Sequence, residues 1–164
     1  MAVRLLIGFI VAFASSVGFG IITNVPRRTL LPAGVTGGAS WVVYLAMGTV
    51  TTNVLLPNLL AAVTIGLLAN AAAVLVRAPV NVLYIPCLVA LVPGAIIYMA
   101  MKDFTLGQDS AASQGFIKTL TIAIALAVGF VIAEAIFAQI RPSFRRWVDK
   151  HVPLPRTLRE EEQR

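Results

Sequence analysis

Residues 82–101 read VLYIPCLVALVPGAIIYMAM, an apolar run of 20 residues without a charged side chain. A helix needs about 20 such residues to cross the roughly 30 Å hydrocarbon core of a bilayer. Pro93 and Gly94 interrupt this run, because proline lacks a backbone donor and clashes with the preceding turn. The segment therefore predicts an interrupted membrane helix, a device by which transporters build substrate sites near the bilayer midplane.

The composition places the chain among integral membrane proteins. Of its 164 residues, 59% are hydrophobic and only 12% are charged, whereas soluble domains carry about 25% charged residues. Lysine and arginine number 13 against 7 acidic residues, and in a membrane protein this excess sets orientation, so no nucleic-acid partner is expected. The single cysteine, Cys87, cannot form an intrachain disulfide and is interpreted as a small core residue.

Five apolar segments are expected to cross the membrane, which predicts an all-α polytopic helix bundle. A cleaved signal peptide is the alternative for the first segment, but its apolar character continues beyond the ~7–15 residues of a signal sequence, which favours a retained helix. Residues 1–140 are predicted to form the transmembrane domain and 141–164 a basic, proline-containing cytoplasmic tail. The five segments lie at about residues 5–25, 33–50, 57–76, 82–101 and 116–140.

The loops, numbered alternately, assign the basic residues to two sides of the membrane. The positive-inside bias places the richer set in the cytoplasm, which predicts the N-terminus outside and the C-terminus inside. The predicted cytoplasmic set is Arg27, Arg28, Arg77, Arg141, Arg145, Arg146 and Lys150, and the predicted outer set is Arg4, Lys102 and Lys118.

Small residues recur every four positions in four of the segments. Because helices in lipid associate through close packing of small side chains, these lines predict helix–helix contacts. Two of them contain asparagine, so a substrate path or cavity is the open alternative. The lines are Gly8, Ala12, Ser16, Gly20 and Asn24; Asn58, Ala62, Gly66 and Asn70; Pro86, Ala90, Gly94 and Tyr98; and Ala125, Gly129 and Ala133.

A few polar groups inside the segments are candidate functional residues. Asn70 lies more than a turn inside its segment, so its amide needs a partner, either structural or a substrate. Glu134 is the one acidic side chain within a predicted span, and such carboxylates can relay protons, although an interfacial ion pair two turns from Arg141 is the alternative. We predict substrate contacts at Pro93–Gly94, Asn70 and Ser40 and proton coupling at Glu134; a proline kink used only for packing is the competing interpretation.

Motifs of enzymes and metal sites are missing from the sequence. It contains no nucleotide-binding P-loop, no hydrolase nucleophile motif and no histidine, cysteine and carboxylate pattern at metal-ligand spacing. The sequence therefore predicts a protein that is not an enzyme, with no cofactor and no metal site.

Four motifs in a fixed order carry a family resemblance. They are NVPRR at 24–28, AGVTGGASW at 33–41, RAP at 77–79, and Pro86 followed by the LVPG run that extends to Tyr98. With these motifs the chain resembles the threonine/serine exporter family over about residues 8–138, and within it the second half that can occur as a separate small subunit. The basic tail lies outside the resemblance.

The resemblance implies a subunit of a secondary exporter in the bacterial inner membrane. Its substrates would be small hydrophilic metabolites, either threonine and serine or a dicarboxylate such as succinate. The expected partner is a companion membrane subunit that supplies the first half of the transporter, or else a second copy of the chain. A non-transporting structural subunit and a passive channel are the alternatives. Backbone N–H groups at the Pro93–Gly94 break are the expected contact for a carboxylated substrate.

Overall fold

The computed structural model describes residues 2–151, and these residues form helices without any strand. Four of the helices are long and apolar enough to cross a membrane, namely α1, α2, α3 and α6. The predicted helix bundle is confirmed. The six helices are α1 (Ala2–Ile22), α2 (Arg27–Val50), α3 (Leu55–Val76), α4 (Asn81–Leu88), α5 (Gly94–Thr105) and α6 (Asp109–His151).

The predicted interruption of the fourth segment separates α4 from α5. The N–H of Gly94 donates to the carbonyl of Val92 at 2.8 Å. Pro93, between them, has φ −77° and ψ 47°, close to the values of an inverse γ-turn. This turn lets the two short helices pack on different neighbours: α4 lies against α1, α2 and α3, whereas α5 lies against α6.

Small residues bring two pairs of helices into close contact, as the sequence predicts. In the α1–α2 pair, Gly37 faces Ser16, and in the α3–α6 pair, Gly66 faces Ala133. A Cβ added at Gly129 of α6 would lie 2.6 Å from the nearest side-chain atom of α3. Contacts this close exclude any larger side chain, so these lines are helix–helix seams.

Two of the predicted lines do not continue along one helical face. The line through the fourth segment is wrong as a single helical face, because Pro86 is buried while Gly94 and Tyr98 are exposed beyond the interruption. Asn24 does not extend the α1 seam: it has φ 55°, and the N–H of the next residue bonds the carbonyl of Gly20 at 3.0 Å. This is a Schellman motif, which ends the helix.

Two helices extend beyond the apolar segments that predicted them. Helix α2 begins at Arg27 instead of residue 33, and α6 continues past the predicted domain boundary at residue 140 to His151. Hydrophobicity marks only the part of a helix that lies in hydrocarbon, whereas backbone hydrogen bonding continues into the polar interface. The remainder of the predicted tail, residues 152–164, lies outside the described residues.

The basic side chains gather at the two ends of the bundle as the alternating loops predict. Arg77, Arg141 and Arg145 line one cavity, at the C-terminal end of α3. Arg4 and Lys118 line another, at the N-terminal end of α3. These five residues thus lie at opposite ends of α3 as predicted, and the assignment of the first end to the cytoplasm stays a prediction.

Candidate functional site

Three polar side chains from three helices form a hydrogen-bonded cluster, which we call the carboxylate network. The Nδ2 of Asn70 on α3 donates to Oε2 of Glu134 on α6 at 2.9 Å. The hydroxyl of Tyr84 on α4 donates to the same oxygen at 3.1 Å and lies 2.6 Å from the Asn70 nitrogen. The two polar residues predicted from the sequence, Asn70 and Glu134, are thus brought together, and Tyr84 joins them.

Close packing of the backbones positions these side chains. Asn70 is 4% exposed, and its Nδ2 also donates to the carbonyl of Gly66 at 3.0 Å. Gly66 in turn faces Ala133, the residue before Glu134, so the α3–α6 seam sets the distance between amide and carboxylate. The ring of Tyr84 packs edge-on against a phenylalanine ring of α6 at 5.3 Å, which orients its hydroxyl. The seam therefore aligns the network.

Glu134 is the acceptor in both of its contacts within the network. An ionised carboxylate has only acceptor sites, so a hydroxyl and an amide that both donate to one oxygen suit its charged form. Unlike Asn70, Glu134 is exposed, although its Oε2 accepts a hydrogen bond from α3. The network thus contains a negative charge that is held on one side and accessible on the other.

A cavity of about 260 Å³ begins at Asn70 and opens at the C-terminal end of α3. We call it the basic cavity, because Arg77, Arg141 and Arg145 line it together with Asn70. Its other described lining residues are small or apolar, namely Ala73, Val74, Ala78, Pro79 and Val80. Guanidinium groups are the side chains best matched to carboxylate, so the cavity suits an anionic group.

The basic cavity lies where α4 and α6 are kept apart. Among the described helices, the backbones of α4 and α6 are not adjacent, although both pack on α3. Tyr84 crosses this gap with its long side chain to reach Glu134. The gap leaves room for a charged cavity beside the closely packed α3–α6 pair.

The remaining predicted site residues are not part of this cluster. Ser40 is fully buried and donates to the carbonyl of Gly37 within its own helix at 2.8 Å. Gly94 is exposed, and a Cβ added there would meet nothing within 4 Å. Substrate contact at Ser40 and at Pro93–Gly94 therefore stays a prediction.

Sequence reasoning missed four residues of the site: Tyr84 and the three arginines. The arginines were interpreted only as charges that set orientation. A signal for them exists in the spacing, because Arg77 follows Asn70 by seven residues and Arg141 follows Glu134 by seven. Seven residues are about two helical turns, so each pair shares one helix face. The signal for Tyr84 is weaker, since α4 and α6 meet only through side chains.

Among residues 2–151, no group of three histidine, cysteine or carboxylate side chains could hold a metal ion. The described side chains of the site offer hydrogen bonds and ion pairs to a small polar solute. Three guanidinium groups offer positive charge in the basic cavity, and Glu134 offers negative charge one hydrogen bond beyond its wall. This distribution of charge fits a solute that carries both signs.

Comparison with known proteins assigns the family. The family model described as "Threonine/Serine exporter, ThrE" matches residues 8–136, which include the whole carboxylate network and Arg77 but neither Arg141 nor Arg145. No curated protein and no solved structure matches the chain. The match covers most of the chain and agrees with the family resemblance of its motifs. The chain belongs to the threonine/serine exporter family of membrane transporters.

Proposed function

We propose that the chain is a subunit of a secondary exporter and that it binds threonine or serine in the basic cavity. The observation that carries this proposal is the double role of Asn70, which lines the cavity and also donates to Glu134. Asn70 thus lies between the arginines of the cavity and the carboxylate of Glu134. A free amino acid is a zwitterion and matches both, and membership in the exporter family supports the substrate class.

Recognition of the amino acid begins at the arginines in this proposal. Arg141 and Arg145 lie one turn apart on α6 and can face the substrate carboxylate with paired N–H donors. Asn70, at the inner wall, offers its amide to the substrate hydroxyl. The ammonium group then points toward Glu134, the acidic member of the network.

Passage of the substrate requires the carboxylate network to exchange partners. The bonds from Asn70 and Tyr84 to Glu134 close the inner side of the cavity. An incoming ammonium group replaces these donors, and binding thereby opens the network. Protonation of Glu134 would have a related effect, because it removes the charge that both donors share. We therefore assign Glu134 as the coupling residue.

In this proposal the basic cavity lies on the cytoplasmic side of the bacterial inner membrane. The arginines that line it belong to the richer basic set, which the positive-inside rule assigns to the cytoplasm. An exporter loads its substrate from that side. The N-terminus is then outside and the C-terminus inside.

A companion membrane subunit, or a second copy of the chain, completes the transporter in this proposal. Glu134 is exposed on a face of α6 whose neighbours Val131, Ile132 and Ile136 are exposed as well. A carboxylate that faces lipid is costly, so intramembrane acids face protein or a water-filled cavity. A neighbouring subunit over this face supplies that environment, as the resemblance to a separate second-half subunit implies.

A dicarboxylate such as succinate is the second candidate substrate. The observation that favours it is the presence of three arginines in the lining of one cavity. Glu134 distinguishes the two candidates, since it attracts an ammonium group and repels a second carboxylate. Glu134→Gln should therefore reduce export of threonine while leaving export of succinate unchanged or faster.

The proposal is tested by efflux of labelled threonine, serine and succinate from preloaded cells without their own exporters. The chain is expressed alone and with candidate companion subunits. Loss of the two cavity arginines of α6 in Arg141→Gln/Arg145→Gln should raise the half-saturating internal concentration at least about tenfold, because charge-assisted hydrogen bonds are lost. Arg146→Gln is the matched control, since Arg146 is exposed on the same helix and does not line the cavity.

Two results would contradict the proposal. An unchanged half-saturating concentration in the double variant would remove the basic cavity from substrate binding. The absence of saturable efflux in every combination would favour the alternative of a structural subunit that stabilises a companion protein. In that case bulky substitutions in the seams would weaken complex formation, and Asn70→Ala and Glu134→Ala would not.

A further inference from the structure

We propose that the opposite end of the bundle carries a second binding site for a zwitterionic amino acid, separate from the basic cavity. The site is a cavity of about 500 Å³ between the end of α2, the start of α3 and the N-terminal parts of α1 and α6. We call it the opposite cavity. Its substrate class rests on the proposed function, whereas its existence rests on the charges and helix ends that surround it.

Two cations converge on the opposite cavity from helices that do not pack together. Arg4 belongs to α1 and Lys118 to α6, and these helices are not in contact within the described part of the chain. No acidic side chain lines the cavity among the side chains that the structure describes. Two like charges at one cavity repel each other, so a bound carboxylate would relieve this repulsion. The convergence therefore indicates an anion-binding site.

The end of α2 supplies the complementary negative potential. This helix ends at Val50, and Gly48 and Thr49 of its last turn line the cavity. The last carbonyls of a helix have no partner within the helix and form the negative end of its dipole. An ammonium group is the natural partner for such carbonyls. The cavity therefore presents both positive side chains and negative backbone groups.

The remaining walls favour a small solute with an apolar part. Pro57 and Ile122 are buried in the cavity floor, and Ile96 is half-buried beside them. The segment between α2 and α3 is held by its own hydrogen bonds: Thr51 Oγ1 accepts from the N–H of Asn53 at 3.2 Å. This order keeps the wall in place before a ligand binds. An amino acid of threonine's size, which has an apolar methyl group and polar groups, suits a cavity with such apolar and polar walls.

A second site has a consequence for the direction of transport. In the proposed orientation the opposite cavity faces outward, where the substrate leaves. Amino acid that accumulates outside would then rebind there and slow net export. The affinity of the opposite cavity thus sets the external concentration at which net export falls to half its initial rate.

The test is protection of a cysteine placed in the opposite cavity. Thr52 is exposed and lines the cavity, so Thr52→Cys places a thiol at its rim. Thr52→Cys is combined with Cys87→Ser, which removes the single native cysteine. If Cys87→Ser does not fold, Cys87 is retained, since its side chain is fully buried. The purified full-length chain is labelled with a thiol reagent with and without threonine, and the two rates are compared within each variant.

We expect saturating threonine to slow labelling of the cysteine at least about fivefold. Arg4→Gln/Lys118→Gln should abolish this protection, and Arg141→Gln/Arg145→Gln should retain it. Lys102→Gln is the matched control, since Lys102 belongs to the same predicted side and does not line the cavity. Comparing rates within one variant removes the direct effect of the lost charges on the reagent.

The outcomes separate this site from the proposed function. Absence of protection by threonine, or protection that persists without Arg4 and Lys118, would overturn the second site. Protection that disappears only with Arg141 and Arg145 would also overturn it, because the effect would then originate in the basic cavity. Protection that requires Arg4 and Lys118 supports the site even if the chain exports nothing, a result that would contradict the proposed function alone.

Discussion

The α1–α2 and α3–α6 pairs use the same packing but differ in what the seam carries. In α1–α2, Gly37 faces Ser16, whose hydroxyl is buried without a hydrogen-bond partner in the described structure. In α3–α6, Gly66 faces Ala133, and one turn further Asn70 of α3 bonds Glu134 of α6. Small residues bring both pairs of backbones close together, but only the second pair aligns polar groups across the seam.

This difference shows that a line of small residues by itself has no functional meaning. Close approach is a packing solution that lipid-embedded helices need in any case. In the proposed function the α3–α6 seam has a binding role, because an amide and a carboxylate occupy its end, next to the basic cavity. The comparison can be tested by changing the packing of both pairs, then the charge of one, and finally the buried hydroxyl of the other.

The largest expected effect is a loss of stability in both pairs alike. Gly66→Leu and Gly37→Leu each place a side chain against the facing helix, where even a Cβ would clash. We expect each to lower the free energy of unfolding by about 3 kcal/mol, the upper range for overpacking. Unfolding in denaturing micelles measures this. Gly18→Leu is the control, because an added Cβ there meets nothing within 4 Å. Equal stability of all three variants would contradict the close helix–helix contacts at Gly66 and Gly37.

A smaller effect, confined to α3–α6, is expected from the charge. Glu134→Gln keeps the size of the side chain and removes its charge, so we expect threonine efflux to fall about 10- to 100-fold, the equivalent of one charge-assisted hydrogen bond. Tyr84→Phe, which removes only one donor to Glu134, should give a fall of about threefold. The initial rate of efflux measures both. The free energy of unfolding should change little in both variants. A large loss of stability in Glu134→Gln would show instead that the carboxylate has a structural role.

The smallest effect is expected in α1–α2. Ser16→Ala removes a buried hydroxyl that has no hydrogen-bond partner within the described residues, and burial of such a group costs about 1–3 kcal/mol. The variant should therefore be unchanged or about 1 kcal/mol more stable, with the efflux rate unaltered. Thermal unfolding and efflux of the same preparation give both values. Reduced efflux would show that this seam also takes part in transport.

The fold could be predicted from the sequence because lipid allows few alternatives. A span in hydrocarbon must satisfy its own backbone, so apolar length predicted the helices and Pro93 predicted the interruption. The limits of α2 and α6 were less accurate, since Arg27 and the residues after 140 are helical without being apolar. Asn24 illustrates another limit: its spacing continued the α1 line, but its left-handed backbone ends the helix.

The candidate site was predictable only in part. Asn70 and Glu134 were identified because a polar group in an apolar span needs a partner. That they bond each other depends on the α3–α6 seam, which no local pattern describes. Tyr84 was missed because its hydroxyl reaches the network across the gap between α4 and α6. The cavity arginines were visible as charges, and only their spacing from Asn70 and Glu134 indicated a shared face.

The interruption between α4 and α5 also divides the bundle mechanically. No helical hydrogen-bond ladder joins α4, which packs on α1, α2 and α3, to α5, which packs on α6. Among the described helices, α3 touches both α4 and α6 and so joins the two groups. Tyr84 belongs to one group and Glu134 to the other, so their hydrogen bond is a second link between them. In the proposed function a solute that competes for Glu134 would break this link, and we expect the two groups then to move relative to each other about α3.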